Sequence, residues 1–250
     1  LPSCHVNDVL GARVQKGNDS ILCVFKPYKG ESSETKKKTQ VNCFYSRECA
    51  AYMVSEHFDF DVVPPTLIRE VNGEVGSLQL FLDHDYYLNF SNLPGEKIDE
   101  AELSSDWHTV AILDWILANC ERHWDNMMVD VENPSSIAAI DHGIIFSSYN
   151  YYEMALRGPS LQLTHDNKTD RPKVIDIPED ILILVEEGLK NRQILDEKLR
   201  ALTDISEESI EQFWSRVQDV IDYKKFLSKM NYKQVTGISW LGSMRRKKDE

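Results

Sequence analysis

Four groups of residues in this 250-residue chain have types and spacing suited to phosphoryl transfer. Lys26 closes the apolar run ILCVF at 21–25. An ammonium at the end of a strand can hold phosphate oxygens as a point charge. Glu48 lies early in the next helix-like segment, where its carboxylate can pair with that lysine and fix it over the phosphates. In the run Asn119-Cys120-Glu121-Arg122-His123-Trp124-Asp125-Asn126, the carboxylate of Glu121 precedes Asn126 by five positions. That separation suits a loop carrying both a carboxylate that accepts the nucleophile's proton and an amide that binds metal. Finally, Ile140-Asp141-His142-Gly143 follows the apolar run IAAI, so Asp141 leaves a buried strand and can serve as a second metal ligand. Each group alone has an ordinary structural explanation. Their order along the chain, each in a fitting local context, is what points to chemistry.

The elements that must position these groups can be read from the same sequence. Gly11 and Gly17 bracket a polar stretch, as in a hairpin leading into the ILCVF strand, but they form no GxGxxG arrangement. Pro27 stops that strand, and the Lys-, Ser- and Thr-rich stretch 28–41 reads as an exposed loop. Cys49, Met53 and Val54 share a face of a helix predicted over 46–58, which Val62-Val63-Pro64-Pro65 ends. Two strands at 66–71 and 77–82 flank Asn72-Gly73, a strong hairpin signal. Beyond this the character changes. A helix is predicted over 106–118, and short apolar runs at 127–129 and 137–140 flank Asn133-Pro134. The last third is mostly helical, with Ile181, Leu184 and Val185 on one amphipathic stretch and Ile210, Phe213, Trp214, Val217, Val220 and Ile221 on another. The reading is an α+β fold of two lobes, small and mixed to about residue 85, larger and helical over about 86–235, with a tail at 236–250.

Composition narrows the function. A formal net charge of −13 disfavours non-specific nucleic-acid binding, because the phosphate backbone would repel the chain. Two basic runs interrupt the acidity: Lys36, Lys37 and Lys38, and Arg245, Arg246, Lys247 and Lys248. Both read as solvated surface, with an inositol phosphate or phosphoinositide as a regulatory ligand they would suit. No run of ~18 apolar residues suggests a membrane span. The five cysteines, Cys4, Cys23, Cys43, Cys49 and Cys120, include no CxxC pair, which argues against a zinc site and for a reducing, cytoplasmic setting. The chain opens on Leu1 without a methionine, as expected of a fragment.

The motifs resemble the phosphatidylinositol 3-/4-kinase-like branch of the protein-kinase superfamily, including the type II phosphatidylinositol 4-kinase-like and HipA-like proteins. Lys26-Pro27 matches an "FKP" strand end. Arg47-Glu48-Cys49-Ala50-Ala51-Tyr52 followed by Val62-Val63-Pro64-Pro65-Thr66 resembles "REvAAY…lVPPT", and Gly76-Ser77-Leu78-Gln79-Leu80-Phe81 resembles "GSlQlF". The loop 119–126 resembles "NtDRHxxN", and Ala139-Ile140-Asp141-His142-Gly143 resembles "aIDnGlaF". The resemblance runs from about residue 8 to about 146. It implies a two-lobed protein-kinase-like fold with ATP in the cleft and adenine near Leu80, Phe81 and Leu82. It further implies Lys26 on phosphate, Glu48 holding Lys26, Asn126 and Asp141 on Mg²⁺ or Mn²⁺, and Glu121 facing the accepting hydroxyl. Arg122 and His123 would shape the loop, His123 alternatively anchoring Asp141. Glu121 departs from the family's aspartate and reaches one methylene further; Asp125 is the neighbouring alternative. The expected activity is transfer of the γ-phosphate to a hydroxyl. Protein Ser/Thr is favoured over an inositol lipid, because the domain is acidic and the segment after Gly143 holds a single cation, Arg157. A nucleotide-binding pseudokinase is the non-enzymatic alternative.

Overall fold

The computed structural model describes residues 7–119, 121–146, 163, 165–166 and 171–227. Cys4, Cys120, Arg157 and the basic run Arg245, Arg246, Lys247 and Lys248 lie outside the described residues.

The chain begins with a four-stranded antiparallel sheet in the order β1-β2-β4-β3, formed by β1 (Leu10–Lys16), β2 (Asp19–Pro27), β3 (Thr66–Val71) and β4 (Glu74–Leu80). The β3–β4 turn is Asn72-Gly73, with φ of 54° and 80°. Both residues sit in the left-handed region that the tightest hairpin turns require. Gly76 lies opposite Pro27, and a side chain there would meet the Lys26 carbonyl at 2.3 Å. Glycine is therefore what lets β4 close against the end of the strand that carries Lys26.

Two helices cross over from β2 to β3. The stretch 28–41, expected as an exposed loop, contains α1 (Ser33–Thr39). Its polar composition conceals a complete set of helix signals: Ser32 Oγ accepts from the Thr35 N–H at 3.2 Å, Glu34 sits in the first turn, and three lysines occupy the last. The next helix, α2 (Phe44–His57), is buried along most of its length and packs on β3 and β4.

After β4 the chain enters the helical part. β5 (Tyr87–Asn89) pairs with β6 (Met127–Asp130), which pairs with β7 (Ile137–Ala139), all antiparallel. Helices α3 (Gly95–Leu103) and α4 (Ser105–Leu117) lie between β5 and β6. Ser104 caps α4, accepting from the Trp107 N–H at 3.1 Å. Residues 109–117 are buried all round, the mark of a central helix. A two-stranded ribbon, β8 (His165–Asp166) and β9 (Arg171–Pro172), precedes α5 (Glu179–Lys190), α6 (Arg192–Arg200) and α7 (Glu207–Tyr223). The apolar stripe of α7 meets α4 and Phe58 in one core that includes Trp107, Ile112, Leu113, Ile116, Leu117 and Phe213. Each fully buried side chain of this size contributes roughly 1.5–3 kcal/mol relative to exposure. This core is the platform on which the loop after α4 is set.

Candidate active site

Lys26 stands at the end of β2, and its Nζ donates to Glu48 Oε1 of α2 and, at 2.8 Å, to Asp141 Oδ1. Three segments far apart in sequence thus meet at one ammonium. Burial alone would lower the lysine pKa, but attraction to Asp141 and then Glu48 outweighs it and raises the pKa well above its ordinary value. Lys26 attraction holds Asp141 well below the carboxylate range, against the effect of burial. Glu48 shifts the other way: burial raises it, with Asp141 adding repulsion, although Lys26 opposes both. The second Glu48 oxygen accepts the His142 N–H at 3.0 Å, so one carboxylate ties α2 both to Lys26 and to the backbone after Asp141.

Asp141 has φ of 61°. A left-handed non-glycine residue is uncommon, tolerated best by Asp and Asn, and concentrated at functional sites. Its side chain remains 45% exposed. The ionised carboxylate therefore faces open space while still touching Lys26.

The loop after α4 is built around Arg122. Ala118 ends the helix in the left-handed region (φ 51°), turning the chain back. Arg122 is buried and forks onto Asp114, with Nε at 3.1 Å from Oδ2 and Nη2 at 3.1 Å from Oδ1. Its Nη1 donates to the carbonyls of Asn126, at 2.6 Å, and Ile140, at 2.8 Å. Its Nη2 also lies 2.7 Å from Nε2 of the fully buried His142. Since guanidinium only donates, His142 accepts at Nε2 and is neutral; burial, and then the Arg122 charge, push its pKa well below the usual value. One side chain thus joins α4, the loop and the Asp141 segment.

Within this frame Asn126 is buried and its Nδ2 donates to the Glu121 carbonyl at 3.2 Å. Glu121 is half-buried. Burial and then the charge of Asp141 raise its pKa to about 7, with Lys26 opposing. Asp125 points elsewhere: it is 65% exposed and accepts from Ser91 Oγ. His123 is exposed, with Nδ1 3.8 Å from Asp125 Oδ2, so the buried histidine of this site is His142, not His123. Leu80, Phe81 and Leu82 are half-buried where β4 leaves the sheet, the Phe81 N–H donating to the Leu22 carbonyl at 3.0 Å. Lys26, Glu48 and Asp141 therefore meet directly, and Glu121 and Asn126 occupy the adjoining loop. Sequence reading missed His142 and Asp114. A buried acceptor on Arg122 has no local signature, although the Asp114 to Arg122 spacing places both near the end of one helix.

Two lysines of the first basic run make ion pairs. Lys36 pairs with Glu31 at 2.8 Å and lies over the Tyr28 ring at 3.9 Å, and Lys38 pairs with Glu34 at 2.6 Å. Among the described residues no helix is long and apolar enough to cross a membrane.

Comparison with known proteins bears on this geometry. Residues 10–168, more than half of the chain, match the family model for phosphatidylinositol 3- and 4-kinase. The chain belongs to that family. It is similar to phosphatidylinositol 4-kinase gamma 4 of Arabidopsis thaliana, with 30% identity over 135 residues covering 43% of this chain and 22% of the relative. The protein of the same name from Oryza sativa subsp. japonica is 31% identical over 134 residues, covering 47% and 23%. The match therefore spans about a quarter or less of these curated relatives. Among solved structures, hydra Fam20 with sugar superposes with a TM-score of 0.52 at 13% identity, covering 85% of this chain and 81% of that one, a likeness of fold. The sheet-rich lobe and helical region form a protein-kinase-like fold, and the family is one of kinases.

Proposed function

We propose that this chain is an ATP- and divalent-metal-dependent phosphotransferase that moves the γ-phosphate to a hydroxyl, with Ser or Thr of a protein as the acceptor. The observation that carries this reading is the Lys26 ammonium held between Glu48 and Asp141, with Glu121 and Asn126 on the neighbouring loop. Lys26 would take the α- and β-phosphates, its position fixed by Glu48. Adenine would lie against Leu80, Phe81 and Leu82.

Asp141 and Asn126 suit Mg²⁺ or Mn²⁺. A carboxylate and an amide oxygen are hard donors, Asp141 is ionised and 45% exposed, and the Asn126 amide nitrogen is already engaged, leaving its oxygen for a cation. Bound there, such an ion would supply positive charge to neutralise the phosphates. Glu121 would accept the proton of the attacking hydroxyl. A carboxylate with a pKa near 7 is matched to that task at neutral pH. Its extra methylene relative to aspartate is compatible with a reaction governed by positioning and electrostatics.

Acidity favours a protein acceptor: at −13 the chain is repelled by an anionic membrane surface, and Lys36 and Lys38 are engaged internally. A second reading, an inositol-lipid hydroxyl as acceptor, is favoured by the family and by the names of the two plant relatives. The chain is to be incubated with γ-labelled ATP and Mg²⁺ or Mn²⁺, with a basic protein mixture or phosphatidylinositol vesicles. Label in protein alone supports the first reading and label in lipid alone the second. No label with either, together with nucleotide binding, identifies a pseudokinase.

A further inference from the structure

The N-terminus of α2 is not capped by its own sequence. Cys43, at the cap position, makes no side-chain capping bond, and the Cys43 and Tyr45 N–H groups find acceptors from other segments. Glu31 Oε1 accepts from the Tyr45 N–H at 2.7 Å. A further acceptor at this end comes from far along the chain. Asp204, between α6 and α7, accepts from the Asn42 N–H at 2.8 Å and the Cys43 N–H at 3.1 Å through Oδ2, and from Asn42 Nδ2 at 2.9 Å through Oδ1. Its backbone carbonyl accepts from Arg47 Nη2 at 3.0 Å, and its carboxylate lies 3.5 Å from the same nitrogen. Asp204 itself has φ of 68°, a left-handed conformation that aims both of its acceptors at α2.

Arg47 immediately precedes Glu48, and both are buried. Arg47 Nη1 also donates to the Ile145 carbonyl, while Glu48 holds the His142 N–H. Gly143 lies against Phe44 closely enough that a methyl group there would sit 3.1 Å from its Cβ. The start of α2 is thus fastened to the segment after Asp141 and, through Asp204, to the C-terminal helices. An anion at a helix N-terminus is favourable through the helix dipole as well as through its hydrogen bonds.

We infer that Asp204 is a positioning residue for nucleotide phosphates: it locks α2 in the orientation that keeps Glu48 on Lys26. The lock joins residues 162 positions apart and makes the phosphate-gripping pair depend on the C-terminal helices. This inference rests on the proposed role of Lys26 and Glu48.

The test measures Mg²⁺–ATP and adenosine affinity by calorimetry, with folding checked by circular dichroism. Asp204→Ala should weaken Mg²⁺–ATP binding about 5–10-fold, the effect of reducing the competent population to roughly a tenth or a fifth. Adenosine affinity should stay unchanged, because adenosine offers no phosphate to Lys26. In a Glu48→Gln background Asp204→Ala should add nothing further. The exchange Asn42→Asp with Asp204→Asn, which restores complementary donors and acceptors, should recover ATP affinity lost in either single variant. The exchange also keeps the idea testable where Asp204→Ala fails to fold. Equal loss of adenosine and ATP affinity, additivity with Glu48→Gln, or no recovery in the exchange would overturn the inference. Lys26→Ala serves as the separate control: if it leaves ATP affinity unchanged, the proposed site itself is wrong.

Discussion

Replacing Arg122 with methionine would strike the frame of the site, and the expected cost follows from its partners. Arg122 and Asp114 are 3% and 4% exposed. Without the guanidinium, Asp114 keeps Asn119 Nδ2 at 2.7 Å but loses its counter-charge, and the carbonyls of Asn126 and Ile140 lose a donor. Removing one partner of a buried ion pair costs about 3–5 kcal/mol, because the other charge stays buried and uncompensated. Against a typical total of about 5–15 kcal/mol this is a large share. For a chain of this size it corresponds to a fall in melting temperature of about 6–20 °C. Urea denaturation followed by circular dichroism measures it directly. The double variant Asp114→Leu with Arg122→Met should recover part of the loss, since replacing both members of a buried pair by apolar groups is often close to neutral. A loss below about 1 kcal/mol for Arg122→Met, or a double variant no better than the single one, would refute this account of the frame.

Glu121, with a pKa near 7 in the free protein, must be ionised to accept a proton, so kcat/KM should rise with pH through an inflection near 7. Glu121→Gln should abolish that inflection and lower transfer about 10²–10⁴-fold, with nucleotide binding retained; if Asp125→Asn is the dead variant instead, the assignment moves to Asp125. Lys26→Ala should reduce turnover by orders of magnitude, and a change within a few-fold would falsify its role. Gly188→Ala should destabilise by about 1–3 kcal/mol, because the new Cβ would lie 2.1 Å from the Phe58 ring. Gly95→Ala, at the first residue of α3 with nothing within 4 Å, should instead stabilise by about 0.4–1 kcal/mol. Thermal melts of the two glycine variants measure both.

Where local pattern and tertiary need coincide, the sequence was informative. ILCVF is a strand whose Cys23 and Phe25 are buried on one face, Asn72-Gly73 is a turn because both residues need positive φ, and α7 shows its stripe because one face meets the core. The central helix α4 was legible from its apolar run. The stretch 28–41 misled because α1 is exposed and polar, held by a cap and by charge placement instead of by an apolar face. Strand β5 escaped because it is three residues long and set by its pairing with β6. At the candidate site, Lys26, Glu48 and Asp141 were named from motif order, and they do meet. His142 and Asp204 were given no role. One acts by accepting from a buried guanidinium and the other by accepting N–H groups at the start of α2 from 161 and 162 positions away, and neither interaction leaves a periodic or local trace.

Single-turnover transfer from γ-labelled ATP, comparing the unaltered chain with Asp141→Asn, bears most directly on the central claim. Asparagine preserves size and removes the charge that faces Lys26 and would face the proposed metal. The unaltered chain should label an acceptor in the presence of Mg²⁺ or Mn²⁺, and Asp141→Asn, folded to the same circular dichroism spectrum, should lose that labelling. Transfer by Asp141→Asn at the rate of the unaltered chain would contradict the site.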